Sequence, residues 1–196
     1  ERWKQLFIPK SLVHFAACQE AGREDWGNLE YLMDTAFQAG LSVSELSMEN
    51  LGWDQTQFVD LNDQAINHLF KLYPWEWIWE ENFSTFIKPD TQWIEPCWKM
   101  LLSNKAILVE LWKQFPHHPL LLESHAFNPN DRFNGKWVRK PILAREGANI
   151  HIIQNNVDCG EASGSFHFKD YDKYGYIMQK WAPTPLHEGM LPTLGL

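Results

Sequence analysis

A strand, a helix and a second strand near the N-terminus constrain the fold of this chain more than any other pattern. Residues 12–18 form a short apolar run, which is typical of a buried strand. The next segment opens with Glu24 and Asp25, whose negative charge suits a helix N-terminus, and it ends at Gly40. Residues 42–46 predict a second strand. This unit predicts a right-handed parallel crossover, and without Gly-x-Gly-x-x-Gly at its turn it indicates no dinucleotide site.

The next apolar segments predict more helix. Residues 63–72 carry apolar side chains at helical spacing and predict an amphipathic helix, which Pro74 ends. Another helix is predicted from Pro74, since proline is favoured at the first helical position. It contains Trp75, Trp77 and Trp79. We expect these tryptophans to pack in the core, and exposed coplanar indoles would instead indicate a carbohydrate-binding surface.

Composition excludes several classes of protein. The 196 residues are 44% hydrophobic and 21% charged, with a net charge of −8. This acidic balance argues against non-specific nucleic-acid binding, and no apolar run is long enough to predict a membrane span. The three cysteines are far apart, so we expect reduced thiols packed as small hydrophobes in a cytoplasmic protein. Because the chain begins at Glu1 and not at Met, we expect a fragment of a longer protein.

A lysine lies in the first strand of a predicted strand–loop–strand unit at residues 137–153. Val138, Lys140 and Ile142 alternate onto one face of that strand. The Lys140 ammonium is therefore expected among apolar neighbours, where it needs a compensating anion. That anion is either a protein carboxylate or a ligand phosphate.

The loop and the proline of this unit refine the prediction. Pro141 cannot donate to a strand ladder, so we expect a bulge or a sheet edge nearby. Gly147 allows the loop to pass close to a ligand, and Arg145 supplies a second cation. Backbone N–H groups with fixed cations suit a polyphosphate. A plain β-hairpin with no ligand remains the alternative.

Another lysine stands at a predicted helix start. Ser103 or Asn104 is expected to cap a helix that ends near Phe115, which places Lys105 in its first turn. A cation is unfavourable there unless an anion lies between it and the helix N-terminus. The alternative is an exposed lysine that reaches into water. Farther along, residues 176–181 predict a strand that carries Gln179 on one face.

In order, these segments resemble ATP-grasp ligases and, more narrowly, the glutathionylspermidine synthase family. The matching segments are residues 69–77, 95–99, 102–106, 115–119, 138–141 and 145–150. The resemblance implies an α/β fold with an α+β lid. It implies a Rossmann-like pre-ATP-grasp domain over residues 1–89, followed by a partial ATP-grasp domain, the nucleotide-holding lid, over residues 90–196.

The resemblance also implies an ATP-dependent carboxylate–amine ligase that forms an amide through an acyl phosphate. Its cofactors would be ATP and Mg²⁺, and its substrates a peptide-like carboxylate and an amine. Three groups of residues match nucleotide-holding positions of the family. They are the phosphate-contacting Lys105 and Lys140, the mobile loop of Arg145, Glu146, Gly147 and Ala148, and the adenine-contacting Gln179, Lys180 and Trp181. Arg145 is also the catalytic candidate.

The chain departs from the family in its metal-binding segment. A Glu-x-Asn followed by Ala-Asp-Thr-Pro binds Mg²⁺ in the family, and this combined motif does not occur in these 196 residues. We therefore expect no metal ligand in this chain and no ligation by the fragment alone. The alternative is a non-catalytic ATP-binding or structural protein derived from the same fold.

Overall fold

The structure is a computed structural model that describes residues 1–19, 22–87, 90–162, 169–183 and 188–190. The described strands are β1 Leu12–Ala17, β2 Ser42–Ser47, β3 Gly52–Trp53, β4 Phe58–Val59, β5 His68–Leu72, β6 Gln92–Ile94, β7 Ser124–Ala126, β8 Lys136–Pro141, β9 His151–Gln154, β10 Val157–Glu161 and β11 Tyr176–Lys180. The described α-helices are α1 Arg2–Leu6, α2 Arg23–Gln38, α3 Trp75–Ile78, α4 Met100–Ser103 and α5 Ala106–Gln114. The chain divides into two compact units, Glu1–Met100 and Leu101–Leu196.

The first unit is built on an all-parallel sheet with the strand order β2-β1-β5-β6. Helix α2 connects β1 to β2, so the predicted β-α-β unit and its parallel pairing are confirmed. Val13 and Phe15 of β1 pack in one buried cluster with Leu29 of α2. Ala16, on the other face of β1, packs in a second cluster with Leu69. Burial of both faces is expected of a parallel sheet.

The helix predicted for residues 63–72 is wrong, because His68–Leu72 forms β5 inside the parallel sheet. Burial along β5 alternates from one residue to the next, which is the period of a strand. The preceding turn is held by Asp60, whose carboxylate accepts the N–H groups of Asn62 and Gln64 at 2.8 and 3.0 Å. Pairing of β5 with β1 and β6 thus overrides an apolar spacing that also fits a helix.

The tryptophan-rich helix α3 begins directly after Pro74, which is its N-cap residue and not its first helical residue. Trp75 is 3% exposed and belongs to a core cluster, so core packing is confirmed for this residue. Trp77 is half-buried, whereas Trp79 is 45% exposed and stacks on Trp75 with ring centroids 5.6 Å apart. The three indoles therefore do not form the exposed coplanar row that a carbohydrate-binding surface requires.

The second unit contains an antiparallel sheet with the strand order β10-β9-β8-β11-β7. Pairing of β8 with β9 confirms the predicted strand–loop–strand unit as a hairpin. The edge position predicted from Pro141 is wrong, since β8 is the middle strand. Pro141 is the last residue of β8 and lies beyond Arg139, the last β8 residue paired with β9. Its missing N–H therefore leaves the β8–β9 ladder intact.

The predicted domain boundary lies at residue 89, and the cysteines were expected to be buried. Residues 88 and 89, at that boundary, lie outside the described part of the chain, and the division into units falls after Met100. Cys97 and Cys159 are exposed, so the expectation of buried cysteines is wrong for both. Within the described residues, no helix is long and apolar enough to cross a membrane.

Candidate functional site

The lysine at the start of α5 is turned towards the segment that follows β8. The N-cap residue of α5 is Lys105 and not the predicted Ser103 or Asn104, although the Asn104 side chain accepts the Ala106 N–H at 2.9 Å. The Lys105 backbone N–H donates to the Ile142 carbonyl at 2.9 Å, and its ammonium donates to the Ala144 carbonyl at 2.7 Å. Lys105 is therefore tied to the N-terminal end of the glycine loop and does not simply extend into water.

Lys140 is half-buried on the face of β8 that it shares with Val138. Its ammonium donates to the side-chain oxygen of Gln179 on β11 at 2.7 Å. Burial lowers the pKa of Lys140 below its ordinary value. In the described part of the chain, no carboxylate lies within ion-pair distance of this ammonium. Among the described residues, the partner of this ammonium is thus a neutral amide oxygen and not a carboxylate.

The loop between β8 and β9 turns sharply at Arg145–Ala148. The Ala148 N–H donates to the Arg145 carbonyl at 2.9 Å. The two central residues, Glu146 and Gly147, have φ values of 53° and 78°, as a type I′ turn requires. A side chain at position 147 would meet no atom within 4 Å, so the glycine serves backbone conformation and not close packing. Arg145 and Glu146 are exposed at the turn.

An anchor for this loop was missed by the sequence reasoning. Asn149, which has a φ of 53°, is 1% exposed and donates from its side-chain amide to the Asp172 carboxylate at 2.6 Å. The same carboxylate oxygen accepts the Tyr176 hydroxyl. Burial, together with the Asp172 charge, raises the pKa of Tyr176 to about 12. The sequence feature that could have predicted this anchor is the asparagine just after the glycine turn, because asparagine tolerates a positive φ.

At the end of β11, Gln179 and Lys180 lie on opposite faces, and Trp181 directly follows the strand. Gln179 is 7% exposed and points to the Lys140 side. Lys180 lies on the opposite face, where its ammonium is 3.3 Å from Glu123. Trp181 is 36% exposed and carries the Lys136 ammonium 3.9 Å above its ring. A groove of about 490 Å³ lies on the Lys180 face, away from Lys140.

The backbone N–H groups of Lys180 and Trp181 are both hydrogen-bonded to carbonyls of the second unit. The Lys180 N–H donates to the Glu123 carbonyl at 2.8 Å, and the Trp181 N–H donates to the Lys136 carbonyl at 3.1 Å. Among the described residues, no group of three His, Cys, Asp or Glu side chains could hold a metal ion.

Together, these features define the class of protein. A Rossmann-like parallel sheet is followed by an antiparallel sheet that carries a lysine on its middle strand and a glycine loop, as in a pre-ATP-grasp domain with a partial ATP-grasp domain. Within this class, the chain belongs to the glutathionylspermidine synthase family, since the family model described as "Glutathionylspermidine synthase preATP-grasp" matches residues 1–196.

Curated relatives carry ligase and synthetase names. The chain is 45% identical over 192 residues to a Haemophilus influenzae protein named "Putative acid--amine ligase", covering 95% of this chain and 49% of that protein. It is 26% identical over 176 residues to the bifunctional glutathionylspermidine synthetase/amidase of Escherichia coli K12, covering 76% and 28%. It is 24% identical over 188 residues to trypanothione synthetase of Crithidia fasciculata, covering 81% and 28%. The chain thus spans half or less of these relatives.

A solved structure supports the fold. The crystal structure of D-cycloserine synthetase DcsG matches with a TM-score of 0.54 at 11% sequence identity. The match covers 87% of this chain and 59% of that one. At this identity the likeness establishes the α/β fold and not the chemistry.

Proposed function

We propose that this chain is the nucleotide-holding part of an ATP-dependent carboxylate–amine ligase. The observation that carries the proposal is the half-buried ammonium of Lys140, which is bonded to a neutral amide oxygen and lies on the strand before a glycine turn. A desolvated cation without an anionic partner among the described residues attracts an anion strongly. The ATP phosphates supply that anion.

Lys140 and Lys105 contact the phosphates in this proposal. Lys105 is held at the start of α5, where the helix dipole adds positive potential. Arg145, at the exposed turn, is our candidate for neutralising charge that develops on the transferred phosphoryl group. The turn from Arg145 to Ala148 covers the phosphates and excludes water. Gln179, Lys180 and Trp181 lie beside the adenine.

The proposed chemistry has two steps. A carboxylate oxygen of the acid substrate attacks the γ-phosphorus of ATP, the bond to the β-phosphate oxygen breaks, and ADP leaves. The substrate amine then attacks the acyl carbon, phosphate leaves with the bonding electrons, and the amine nitrogen loses a proton. Both steps rely mainly on positioning and on neutralisation of developing charge. A peptide-like acid is proposed from the names of the relatives.

Among the described residues, no group of three His, Cys, Asp or Glu side chains could hold Mg²⁺. We propose that its ligands lie elsewhere in the complete protein and that these 196 residues alone do not make an amide. A non-catalytic nucleotide-binding protein is the second candidate. It is favoured by the lack, among the described residues, of a group of three side chains that could bind a metal ion. Amide and ADP formation by the complete protein would exclude it. The cytoplasmic location stays a prediction.

ATP titration of the purified protein, with and without Mg²⁺, tests the nucleotide site. The Lys140→Ala variant is expected to bind ATP at least about tenfold more weakly, because a hydrogen-bonded charge contact contributes about 1.5–3 kcal/mol. Lys113→Ala is the matched control, since it removes an exposed lysine of α5 that pairs with Glu110 at 2.7 Å. Equal ATP affinity of the Lys140→Ala variant and the wild type would refute the role of Lys140.

A further inference from the structure

Three side chains form a hydrogen-bonded relay across β8, β11 and β7. Lys140 donates to Gln179 Oε1 at 2.7 Å, and Gln179 Nε2 donates to Ser124 Oγ at 3.2 Å. Ser124 Oγ donates in turn to the Leu122 carbonyl at 2.9 Å. Ser124 is fully buried, and Gln179 is 7% exposed. The strand register agrees with the relay, since Gln179 stands opposite Ser124.

The relay fixes which end of the Gln179 amide faces the lysine. A serine hydroxyl has a single hydrogen, and here Ser124 gives it to the Leu122 carbonyl. Towards Gln179, the hydroxyl oxygen can therefore only accept, which requires the NH₂ end of the amide on that side. The carbonyl end is left facing Lys140, whose ammonium can only donate. Both ends of the relay demand the same orientation of the amide.

This orientation has an electrostatic consequence for Lys140. The amide oxygen holds the ammonium in one place, yet it carries no net charge to neutralise it. An ammonium has three hydrogens, and the Gln179 oxygen takes one of them. A carboxylate in the same position would hold the lysine as firmly but would cancel its charge.

We propose that Gln179 and Ser124 are positioning residues that hold Lys140 ready for a phosphate oxygen without neutralising it. The inference rests on the proposed nucleotide site. It assigns a role to Ser124, which no sequence motif marked, and it changes the role of the Gln179 side chain from reading the adenine edge to orienting the lysine. The side-chain amide has its oxygen and one N–H committed within the relay, so it is a poor reader of a base.

Two variants test the relay. Gln179→Glu places a carboxylate against Lys140 and is expected to weaken ATP binding at least tenfold. Ser124→Ala releases the amide, and we expect a three- to tenfold loss of ATP affinity. Thr91→Ala is the matched control, because Thr91 is also buried and donates to a backbone carbonyl, that of Ile66, at 3.0 Å. It removes a similar hydrogen bond from the other unit and is expected to leave ATP affinity unchanged.

A second readout does not depend on ATP. NMR of ¹³C-labelled lysine follows the titration of Lys140 directly, with the signal assigned through Lys140→Arg. The Lys140 pKa is expected to rise in Gln179→Glu, which adds a negative partner, and to fall further in Ser124→Ala, where the Gln179 oxygen is held less firmly against the ammonium. If both pKa values equal that of the wild type, the relay is refuted.

The outcomes separate the relay from the nucleotide site. Wild-type protein that binds no ATP refutes the proposed function, while the Lys140 titrations still decide the relay. Wild-type affinity in both variants overturns the positioning role, even where the pKa values move. Circular dichroism checks that the variants fold, and should Gln179→Glu fail to fold, the affinity and titration of Ser124→Ala decide.

Discussion

Two buried polar pairs show what single residues contribute to this chain. One is Lys140 with Gln179, described above as a cation held by a neutral oxygen. The other is His14 with Asp60, whose side chains meet at 3.3 Å in the parallel-sheet unit. Burial alone would raise the pKa of Asp60, but the N–H groups of Gln64 and Asn62 and the His14 side chain outweigh it and lower that pKa.

Asp60 is therefore expected to make the protein sensitive to acid. Because its pKa is lower in the folded chain, the unfolded chain takes up a proton first as the pH falls. The stabilisation is fully present above the unfolded pKa of about 3.9 and is lost as the pH falls through the folded value. At neutral pH, Asp60→Asn is expected to lower the free energy of unfolding by about 1–3 kcal/mol, since hydrogen bonds to a charged group are weakened.

Urea unfolding of wild type and Asp60→Asn between pH 7 and pH 3 measures this effect. The difference in the free energy of unfolding should shrink as the pH drops below about 4. Asp25→Asn controls for the loss of one negative charge, since Asp25 is exposed in the first turn of α2. A difference that stayed constant over the whole pH range would contradict the assignment.

Among the elements, the β8–β9 loop combines a strained turn with a buried anchor. Glu146, Gly147 and Asn149 all have positive φ, and the Asn149 side chain is held by a hydrogen bond to Asp172. The turn itself stays exposed at Arg145. A loop with a fixed end and an exposed turn can close over a ligand without losing its register.

Substitution of the turn glycine should separate nucleotide binding from stability. Gly147→Ala forces an alanine to a φ of 78°, which costs about 1–2 kcal/mol and disturbs the turn that we propose to cover the phosphates. Gly135→Ala is a matched control, because Gly135 has a φ of 86° and is also open around the missing side chain. Both variants should lose similar stability in thermal unfolding, but only Gly147→Ala should bind ATP more weakly. Equal loss of affinity in both would count against a nucleotide-covering loop.

For the whole molecule, the two units contain different sheets with different cores. The first unit buries apolar residues on both sides of a parallel sheet, and the second has a smaller cluster around Trp137, Ile153 and Met178. Neither unit offers a group of three metal-ligating side chains among its described residues. In the proposed function, the described residues of this chain contact the nucleotide through cations and hydrogen bonds.

The chain itself is expected to be insensitive to Mg²⁺. A ligand that binds the folded state stabilises it, and the described residues contain no group of three metal-ligating side chains that would bind the ion. The thermal midpoint of these 196 residues, measured without nucleotide, should be the same in millimolar Mg²⁺ and in EDTA. An increase of several degrees in Mg²⁺ would reveal ligands in the residues that the structure leaves undescribed.

Short-range sequence patterns correctly predicted the helices and strands whose apolar spacing agrees with their burial in the fold. The β-α-β unit, the β8–β9 hairpin and the helix that follows Lys105 were predicted from apolar runs, an asparagine near the helix start and a turn glycine, all of which act within a few residues. The family resemblance rested on such local segments too, and the family is confirmed over residues 1–196. The nucleotide-binding roles of the individual residues stay predictions.

Tertiary structure decided what depends on residues far apart in the chain. Strand β5 is set by pairing with neighbours on both sides, and its spacing also fits a helix. Lys140 meets Gln179 from 39 residues away, and Gln179 meets Ser124 from 55. The sequence determined that Lys140 would be desolvated, because its strand neighbours are apolar. Only the fold decided that a neutral, oriented amide would hold it, because hydrogen-bond partners across strands are chosen by register and not by spacing along the chain.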